Sequence, residues 1–145
     1  MKTFVISLTD REDRRKLFDD ANKGIIEYQY FNYSFNGKEI PYPKLKEMGF
    51  DCVHDWVDPI LGTRLTKGEV GCYLSHYHLW LTCLEYKEPI LILEDDAVLT
   101  DRFSVSEIEA QLNNNVNFLY LGWREQGRST PVDEQFVVPD YPYWG

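Results

Sequence analysis

The chain has little of what marks several large protein classes. It holds only 3 cysteines among 145 residues, and we find no internal repeat and no low-complexity tract. This composition argues against a disulfide scaffold, a collagen-like fibre and a disordered chain. No stretch approaches the roughly 20 apolar residues of a membrane-spanning helix, so we expect any membrane contact to be peripheral.

The cysteines give a first indication of the compartment. Cys52, Cys72 and Cys83 are odd in number and have no paired spacing, which favours reduced thiols over a disulfide framework. The N-terminal apolar run at residues 4–8 is too short for a signal peptide, and dense charge follows it. We therefore expect a cytoplasmic protein.

Basic residues are also scarce. Fifteen Lys and Arg stand against 24 Asp and Glu, giving a net charge of −9, and no basic stripe of the kind that binds nucleic acid is present. The chain is 43% hydrophobic and short, which is typical of one domain, residues 1–145, around one core. Such an acidic protein needs a local counter-charge to bind a diphosphate, and a metal with Arg11, Arg14 or Arg15 would supply it.

Three short runs are apolar throughout rather than alternating, at residues 4–8, 90–93 and 118–121. That pattern is typical of strands buried on both faces of a parallel sheet. An aromatic-rich segment at 28–35 predicts another strand, closed by Asn36 and Gly37.

Helices are predicted between these strands. Capping boxes pair Thr9 with Glu12 and Thr66 with Glu69, and a cap at Ser104 opens a third helix. The first should end at Gly24 with Leu17, Phe18 and Ala21 on one side, the second near Glu85 with an apolar stripe at Val70, Tyr73, Leu74, Tyr77, Leu81 and Leu84, and the third at residue 113, with a short helix at 44–48 besides.

Strand and helix alternation predicts an α/β wind, which binds ligands beyond the carboxyl ends of its strands. We expect function just after Leu8, Phe35, Leu93 and Leu121. The most informative of these positions is Glu94-Asp95-Asp96, since three adjacent carboxylates repel one another unless a cation lies among them. Their oxygens suit Mn²⁺ or Mg²⁺, although acids at a solvated turn are the plainer interpretation.

Two other enzyme classes place acids here. A phosphotransfer receiver domain needs its phospho-accepting Asp on a later strand, for which only Asp140 remains. A haloacid-dehalogenase type of phosphatase would have Glu94 at the position of its Asp nucleophile. We rank both below a metal-dependent nucleotide site.

The segment 65–76, Leu-Thr-Lys-Gly-Glu-Val-Gly-Cys-Tyr-Leu-Ser-His, followed by the strand that ends in Glu-Asp-Asp, resembles glycosyltransferase family 25, the lipooligosaccharide and collagen galactosyltransferase group. The resemblance extends to residues 5–8 and 119–122 and so spans nearly the whole chain. It implies an α/β GT-A-like (Rossmann-like) nucleotide-binding sandwich with a mainly parallel sheet, and inverting transfer of a hexose, often galactose from UDP-galactose.

Under this resemblance the acidic trio is similar to the family's metal motif. Asp96 would be the best metal ligand and Asp95 a second ligand or a ribose contact, with Glu94 as a support. Mn²⁺ or Mg²⁺ is the implied cofactor.

The remaining nucleotide-sugar contacts are expected on both sides of the trio. Ser7 and Leu8 would hold the base or ribose through their backbone, Arg14 would reach the diphosphate, and Lys67 would contact a phosphate. Asn36 stands where family members often have Asp, so a base or ribose contact there would come from an amide.

The motif helix carries its own signals. Gly68, Gly71, Cys72 and Ser75 form a small-residue stripe, which permits close backbone approach and is equally explained by helix-to-sheet packing. His76 lies four residues after Cys72, but this pair alone lacks the other ligands of a zinc site, so a hydrogen-bonded structural or substrate-contacting histidine is the preferred interpretation.

No catalytic base is identified. Asp133, Glu134 and Asp140 follow the last predicted strand, and the sequence stops in an aromatic stretch, so we expect a C-terminally incomplete domain with its base beyond residue 145. The leading hypothesis is a hexosyltransferase acting from a UDP-sugar on a saccharide such as lipooligosaccharide, with peripheral association at the inner face of the membrane through a lipid-linked acceptor. The alternatives are a non-catalytic nucleotide-sugar or glycan-binding module and a purely structural α/β interaction domain.

Overall fold

The structure is a computed structural model that describes residues 1–50, 56–59, 62–112, 118–119 and 121, with the backbone of 129–131 and 137–139. These residues fall into two compact units, 1–105 and 106–145, and each is described by itself. The elements of the first unit, in chain order, are strand β1 (Lys2–Ile6), helix α1 (Glu12–Asn22), strand β2 (Gln29–Phe31), a 3-10 turn (Gly37–Glu39), helix α2 (Tyr42–Glu47), helix α3 (Lys67–Tyr86) and strand β3 (Ile90–Glu94).

These three strands form one sheet in the order β2-β1-β3, and both pairs are parallel. The α/β fold with a parallel sheet is therefore confirmed, and it is consistent with a Rossmann-like glycosyltransferase fold. The chain leaves β1 for a neighbour on one side through α1 and returns on the other side after α3. All three carboxyl ends consequently meet at one edge, where α/β folds bind ligands.

The sheet is buried on both faces, as its apolar strands predict. On one face Phe18 of α1 packs against Val5, Leu91 and Leu93. On the other face Leu79 of α3 packs against the sheet residues Phe4 and Phe31. A third cluster, Leu45, Val70 and Leu74, joins α2 to the first half of α3.

Helix α1 differs from its prediction at its start and on its buried side. It begins at Glu12 and takes no side-chain cap, so the box between Thr9 and Glu12 is wrong. The residues before it form a turn in which the Arg11 N–H donates to the Leu8 carbonyl. Its buried residues are Phe18 and Asn22, whereas Leu17 is 68% exposed and Ala21 is exposed too. The helix ends as predicted, just before Gly24, whose φ is +76°.

Helix α3 has the predicted limits and the predicted capping box between Thr66 and Glu69. Its buried side is narrower than the predicted stripe. Tyr73, Leu81 and Leu84 are exposed to 41%, 39% and 73%. Small residues take part of the buried face instead, and the buried set is Val70, Gly71, Leu74, Ser75 and Leu79.

Strand β2 is shorter than the predicted strand at 28–35. It ends at Phe31 because the backbone turns there, with the N–H and the hydroxyl of Ser34 both donating to the Phe31 carbonyl. The predicted short helix is present as α2.

The second unit holds most of helix α4 (Val105–Gln111) and a two-stranded antiparallel sheet of β4 (Ser129–Pro131) and β5 (Val137–Pro139). The limits of α4 agree with its prediction, and Val105, Ile108 and Leu112 are half-buried beside exposed neighbours. The strand predicted at 118–121 is wrong for its described residues. Phe118 and Leu121 are 64% and 44% exposed, so they lack the burial on two faces that an inner strand needs.

Among the helices of the described part of the chain, none combines the length and the apolar character needed to cross a membrane.

Candidate functional site

A cleft of about 350 Å³ lies at the edge where the three parallel strands end. It receives residues from the segment after each strand and from one face of α3, so the first three expected positions meet there. The residues that the prediction places after Leu121, Gly122 to Arg124, lie outside the described residues. The cleft is lined by Ile6, Ser7, Leu8, Asp10, Arg11, Arg14, Ser34, Phe35, Asn36, Gly37, Lys38, Gly68, Cys72, Ser75, Glu94 and Asp95.

One wall of the cleft depends on backbone approach without intervening side chains. A Cβ added to Gly71 of α3 would lie 2.5 Å from the Gly37 nitrogen and 2.6 Å from the Phe35 oxygen. The Ser75 hydroxyl accepts the Phe35 N–H at 2.9 Å and donates to the Gly71 carbonyl at 2.8 Å. The small-residue stripe therefore does permit close approach, but its partner here is the loop after β2 and not the sheet.

The acidic trio meets a cation from α1. Arg14 places one guanidinium nitrogen 2.7 Å from Asp95 Oδ1 and 3.0 Å from Asp96 Oδ2. The Asp95 side chain is 9% exposed and the Asp96 side chain 70%. Arg14 thus already offsets the repulsion between these two neighbouring carboxylates, as the charge argument requires of some cation.

The third acid, Glu94, is turned toward α3. Its Oε1 lies 3.2 Å from His76 Nε2 and 3.6 Å from Cys72 Sγ. The hydrogen bond to His76 lowers the pKa of Glu94. Burial, together with the negative charge of Glu94, raises the pKa of Cys72 to about 12, so that thiol stays protonated near neutral pH. A thiol, an imidazole and a carboxylate are therefore gathered at one point.

Ser7 and Leu8 follow β1 along the floor of the cleft. Ser7 is 2% exposed, its N–H donates to the Ser34 hydroxyl at 3.3 Å, and its carbonyl accepts from Arg15 at 3.1 Å. The Arg15 guanidinium also lies 4.4 Å from the centre of the Tyr30 ring. Arg15 hence holds the backbone of the cleft floor, while Arg11 and Arg14 line the cleft itself.

Asn22 is a positioning residue that the sequence reasoning missed. It is fully buried at the end of α1, and its side-chain amide donates to the Phe18 and Ala97 carbonyls at 3.0 Å each. Its oxygen accepts the Leu99 N–H at 2.8 Å. Asn22 thereby ties α1 to the segment that follows the acidic trio. Its spacing of four from Phe18 was an available signal, since it places a polar side chain on the buried face.

The structure does not place every predicted residue in the cleft lining. Asn36 lines it, but its side chain accepts the Lys38 N–H at 3.2 Å and donates to Glu39 at 2.8 Å as a cap. Lys67 is exposed outside the lining, 5.7 Å from the centre of the Tyr42 ring, and Asp96 also lies outside it. Asp133, Glu134 and Asp140 lie outside the described residues.

With this geometry in hand, comparison with known proteins identifies the class. The profile of glycosyltransferase family 25, described as an LPS biosynthesis protein family, matches residues 1–138. The chain therefore belongs to glycosyltransferase family 25, and the resemblance stated above is confirmed.

Individual relatives of the chain come from animals. It is 31% identical to a glycosyltransferase 25 family member of Drosophila melanogaster and 27% identical to procollagen galactosyltransferase 1-A of Xenopus laevis. It is also 30% identical to the human inactive glycosyltransferase 25 family member 3. Each match covers 99% of this chain but only 25% or 26% of the relative. The chain thus spans about a quarter of the length of the curated relatives it matches.

Proposed function

We propose that residues 1–145 form the nucleotide-sugar-binding domain of a glycosyltransferase that moves a hexose, galactose first of all, from a UDP-sugar to a saccharide acceptor. The observation that carries the proposal is the cleft at the carboxyl ends of the sheet, in a member of family 25. Two relatives are named procollagen galactosyltransferases, which supports galactose, and the family description supports a lipopolysaccharide-type acceptor.

The roles of the cleft residues in this proposal follow from their positions. The backbone of Ser7 and Leu8 faces the base or ribose, together with the Asn36 amide. Arg14 meets the diphosphate, since it is a half-exposed cation at the acidic end of the cleft. Lys67 contacts phosphate only if its flexible side chain leaves the Tyr42 ring.

A divalent ion, Mn²⁺ or Mg²⁺, is part of the proposal, with Asp95 and Asp96 as its ligands and Glu94 in support. The donor set fits such an ion because both side chains supply carboxylate oxygen, and the exposed Asp96 leaves room for the water that Mg²⁺ retains. When bound, the ion would neutralise charge on the departing diphosphate. Arg14 now bridges the two carboxylates, which suggests that this cation and the metal share one task.

The reaction would invert the anomeric carbon. The acceptor oxygen forms a bond to that carbon as the bond to the UDP oxygen breaks, and the hydroxyl proton passes to a carboxylate base. None of the described residues is assigned as that base. The Arg14 guanidinium, which is always charged, stabilises the UDP that leaves.

The test is a calorimetric titration of the 145-residue chain with UDP and Mn²⁺. We expect binding that Asp96→Asn weakens at least about tenfold, the cost of one lost charged ligand. Asp101→Asn removes an exposed carboxylate a few residues later and should leave binding unchanged. Absence of UDP binding, or equal binding by the two variants, would refute the proposal.

A second candidate is a non-catalytic nucleotide-sugar or glycan-binding module. It is favoured by the relative named as an inactive family member, at 30% identity over 99% of this chain. Release of UDP from UDP-galactose in the presence of Mn²⁺ separates the two, because slow donor hydrolysis needs a working donor site but no acceptor. Binding without release supports the module.

The acceptor and the location complete the proposal. We propose lipooligosaccharide as the acceptor and a cytoplasmic site at the inner face of the membrane, reached by peripheral association with the lipid-linked acceptor. Cys72 and Cys83 are free thiols in the structure, in line with a reducing compartment, and Cys52 lies outside the described residues.

A further inference from the structure

Three side chains of different chemistry converge where α3 passes the end of β3. Cys72 and His76 are one helical turn apart on α3, and Glu94 is the last residue of β3. One ligand atom from each residue lies within 4.8 Å of the other two. The fold therefore brings a sulfur, a nitrogen and an oxygen donor together from two elements held by regular backbone hydrogen bonds.

The spacing of these donors matches a tetrahedral metal centre. With ordinary zinc bond lengths, sulfur and oxygen ligands lie about 3.6 Å apart, and nitrogen and oxygen ligands about 3.4 Å. The observed separations from Glu94 Oε1 are 3.6 Å to Cys72 Sγ and 3.2 Å to His76 Nε2. An ion would fit with small side-chain rotations and no movement of the backbone.

The donor chemistry selects the ion. Thiolate and imidazole are preferred by zinc and its neighbours among the transition metals, whereas Mg²⁺ and Mn²⁺ prefer oxygen alone. The carboxylate pair Asp95 and Asp96 is an oxygen-only set, bridged by Arg14. The two groups therefore differ in the ions they would take.

We propose that Cys72, His76 and Glu94 form a second metal site, specific for a borderline-soft divalent ion with Zn²⁺ foremost. Three protein ligands leave a fourth tetrahedral position for water or a ligand oxygen, as in zinc sites that do chemistry. As the metal–sulfur bond forms, the thiol loses its proton to solvent, one proton for each ion bound.

Access to the site is open. The His76 side chain is 26% exposed and the Glu94 side chain 47%, so an ion can enter from solvent. Cys72 and Glu94 both line the cleft, so the ion would lie in its wall. The inference does not depend on the UDP-sugar proposal, because it requires only these three ligands.

Cobalt is the probe that tests it, since Co²⁺ replaces Zn²⁺ and a bound thiolate gives it a charge-transfer absorption band in the near ultraviolet. We expect that band when Co²⁺ is titrated into the chain under reducing, thiol-free conditions, together with the visible bands of a tetrahedral ion. Zn²⁺ should displace the Co²⁺ and abolish both.

Variants assign the band to the site. Cys72→Ser should abolish it, and His76→Gln should weaken Co²⁺ binding by at least about tenfold, the least that disturbing a metal's surroundings costs. Cys83→Ser is the matched control, because Cys83 is a free thiol on the same helix whose sulfur donates to the Glu88 carbonyl. Asp96→Asn should also keep the band, which separates this site from the Mn²⁺ site.

The result that would overturn the proposal is equally direct. If the wild-type chain shows no thiolate band, or if Cys72→Ser keeps it, the three residues form a hydrogen-bonded cluster and no metal site. Far-ultraviolet circular dichroism of each variant checks that it is folded before the titration is read.

Discussion

The two helices beside the cleft contact the rest of the molecule in opposite ways. Helix α1 acts through long side chains: Arg14 reaches the acidic pair, and Asn22 reaches the segment after it. Helix α3 acts along one face through the absence of side chains, since Gly71 lets the loop at Phe35 and Gly37 lie against its backbone.

This difference predicts two kinds of sensitivity. On α3 a single added methyl group should be costly, because the atoms it would meet belong to the backbone and cannot rotate away. On α1 the effects should depend on what each side chain contacts, and range from the buried amide of Asn22 to exposed charge. The following substitutions test this contrast, from the largest expected effect to the smallest.

Gly71→Ala should be the most destabilising of them. Its Cβ would meet two backbone atoms at 2.5 and 2.6 Å, so α3 or the loop must move, and we expect a loss of about 3 kcal/mol in the free energy of unfolding. Urea denaturation followed by circular dichroism measures it. Gly68→Ala is the control on the same helix, where the nearest atom is the Thr66 hydroxyl at 3.8 Å. If both variants unfold at the same urea concentration, the close approach has no energetic weight.

Asn22→Ala comes next. It leaves the Leu99 N–H and two carbonyls without their partner inside the protein, and we expect a loss of about 2 kcal/mol. Because Asn22 ties α1 to the segment after the acidic trio, UDP binding should weaken as well. Lys23→Ala, at the exposed neighbouring position, should change neither quantity. A variant of Asn22 with wild-type stability would mean that water replaces the amide.

The sequence predicted the parts of the fold that rest on periodic or local signals. The capping box at Thr66 and Glu69 needs only residues three apart, and the apolar runs that became β1 and β3 need only burial on both faces. The same logic failed for the run at 118–121, because an apolar segment does not by itself specify a partner strand.

The candidate site was predicted as far as the order of elements reaches. That Glu94 and Asp95 lie near Ser7 follows from parallel strands ending at one edge. The pairing of Arg14 with the acids joins residues about 80 positions apart, and the turn of Glu94 toward Cys72 and His76 depends on where α3 crosses the sheet. Such long-range side-chain contacts leave no periodic trace in one sequence.

Arg14→Gln should affect ligand binding more than folding. It removes the cation that bridges Asp95 and Asp96 and that we propose meets the diphosphate, so UDP binding should weaken about tenfold or more. Lys16→Gln removes the same charge from an exposed position two residues away on α1 and should change binding less than about twofold. Calorimetry at two salt concentrations separates a specific contact from general charge. Equal losses in both variants would argue against a role for Arg14.

The smallest effect concerns Tyr28 and Tyr30, whose hydroxyls both donate to Asp19 of α1. Burial, with the hydrogen bond to Asp19, raises the pKa of Tyr28 to about 12, so the folded state retains this phenol proton longer than the unfolded chain does. Its contribution is therefore complete below about pH 10, the ordinary pKa of tyrosine, and is lost as the pH rises toward the folded value. Tyr28→Phe should cost about 0.5 kcal/mol near neutral pH, and less at higher pH. Urea denaturation of both proteins at several alkaline pH values measures the difference, with Tyr33→Phe, at a 76% exposed ring, as the control. Because Asp19 is exposed, this pair marks the lower limit of what the side chains of α1 contribute; a difference that grows with pH would contradict the direction of the shift.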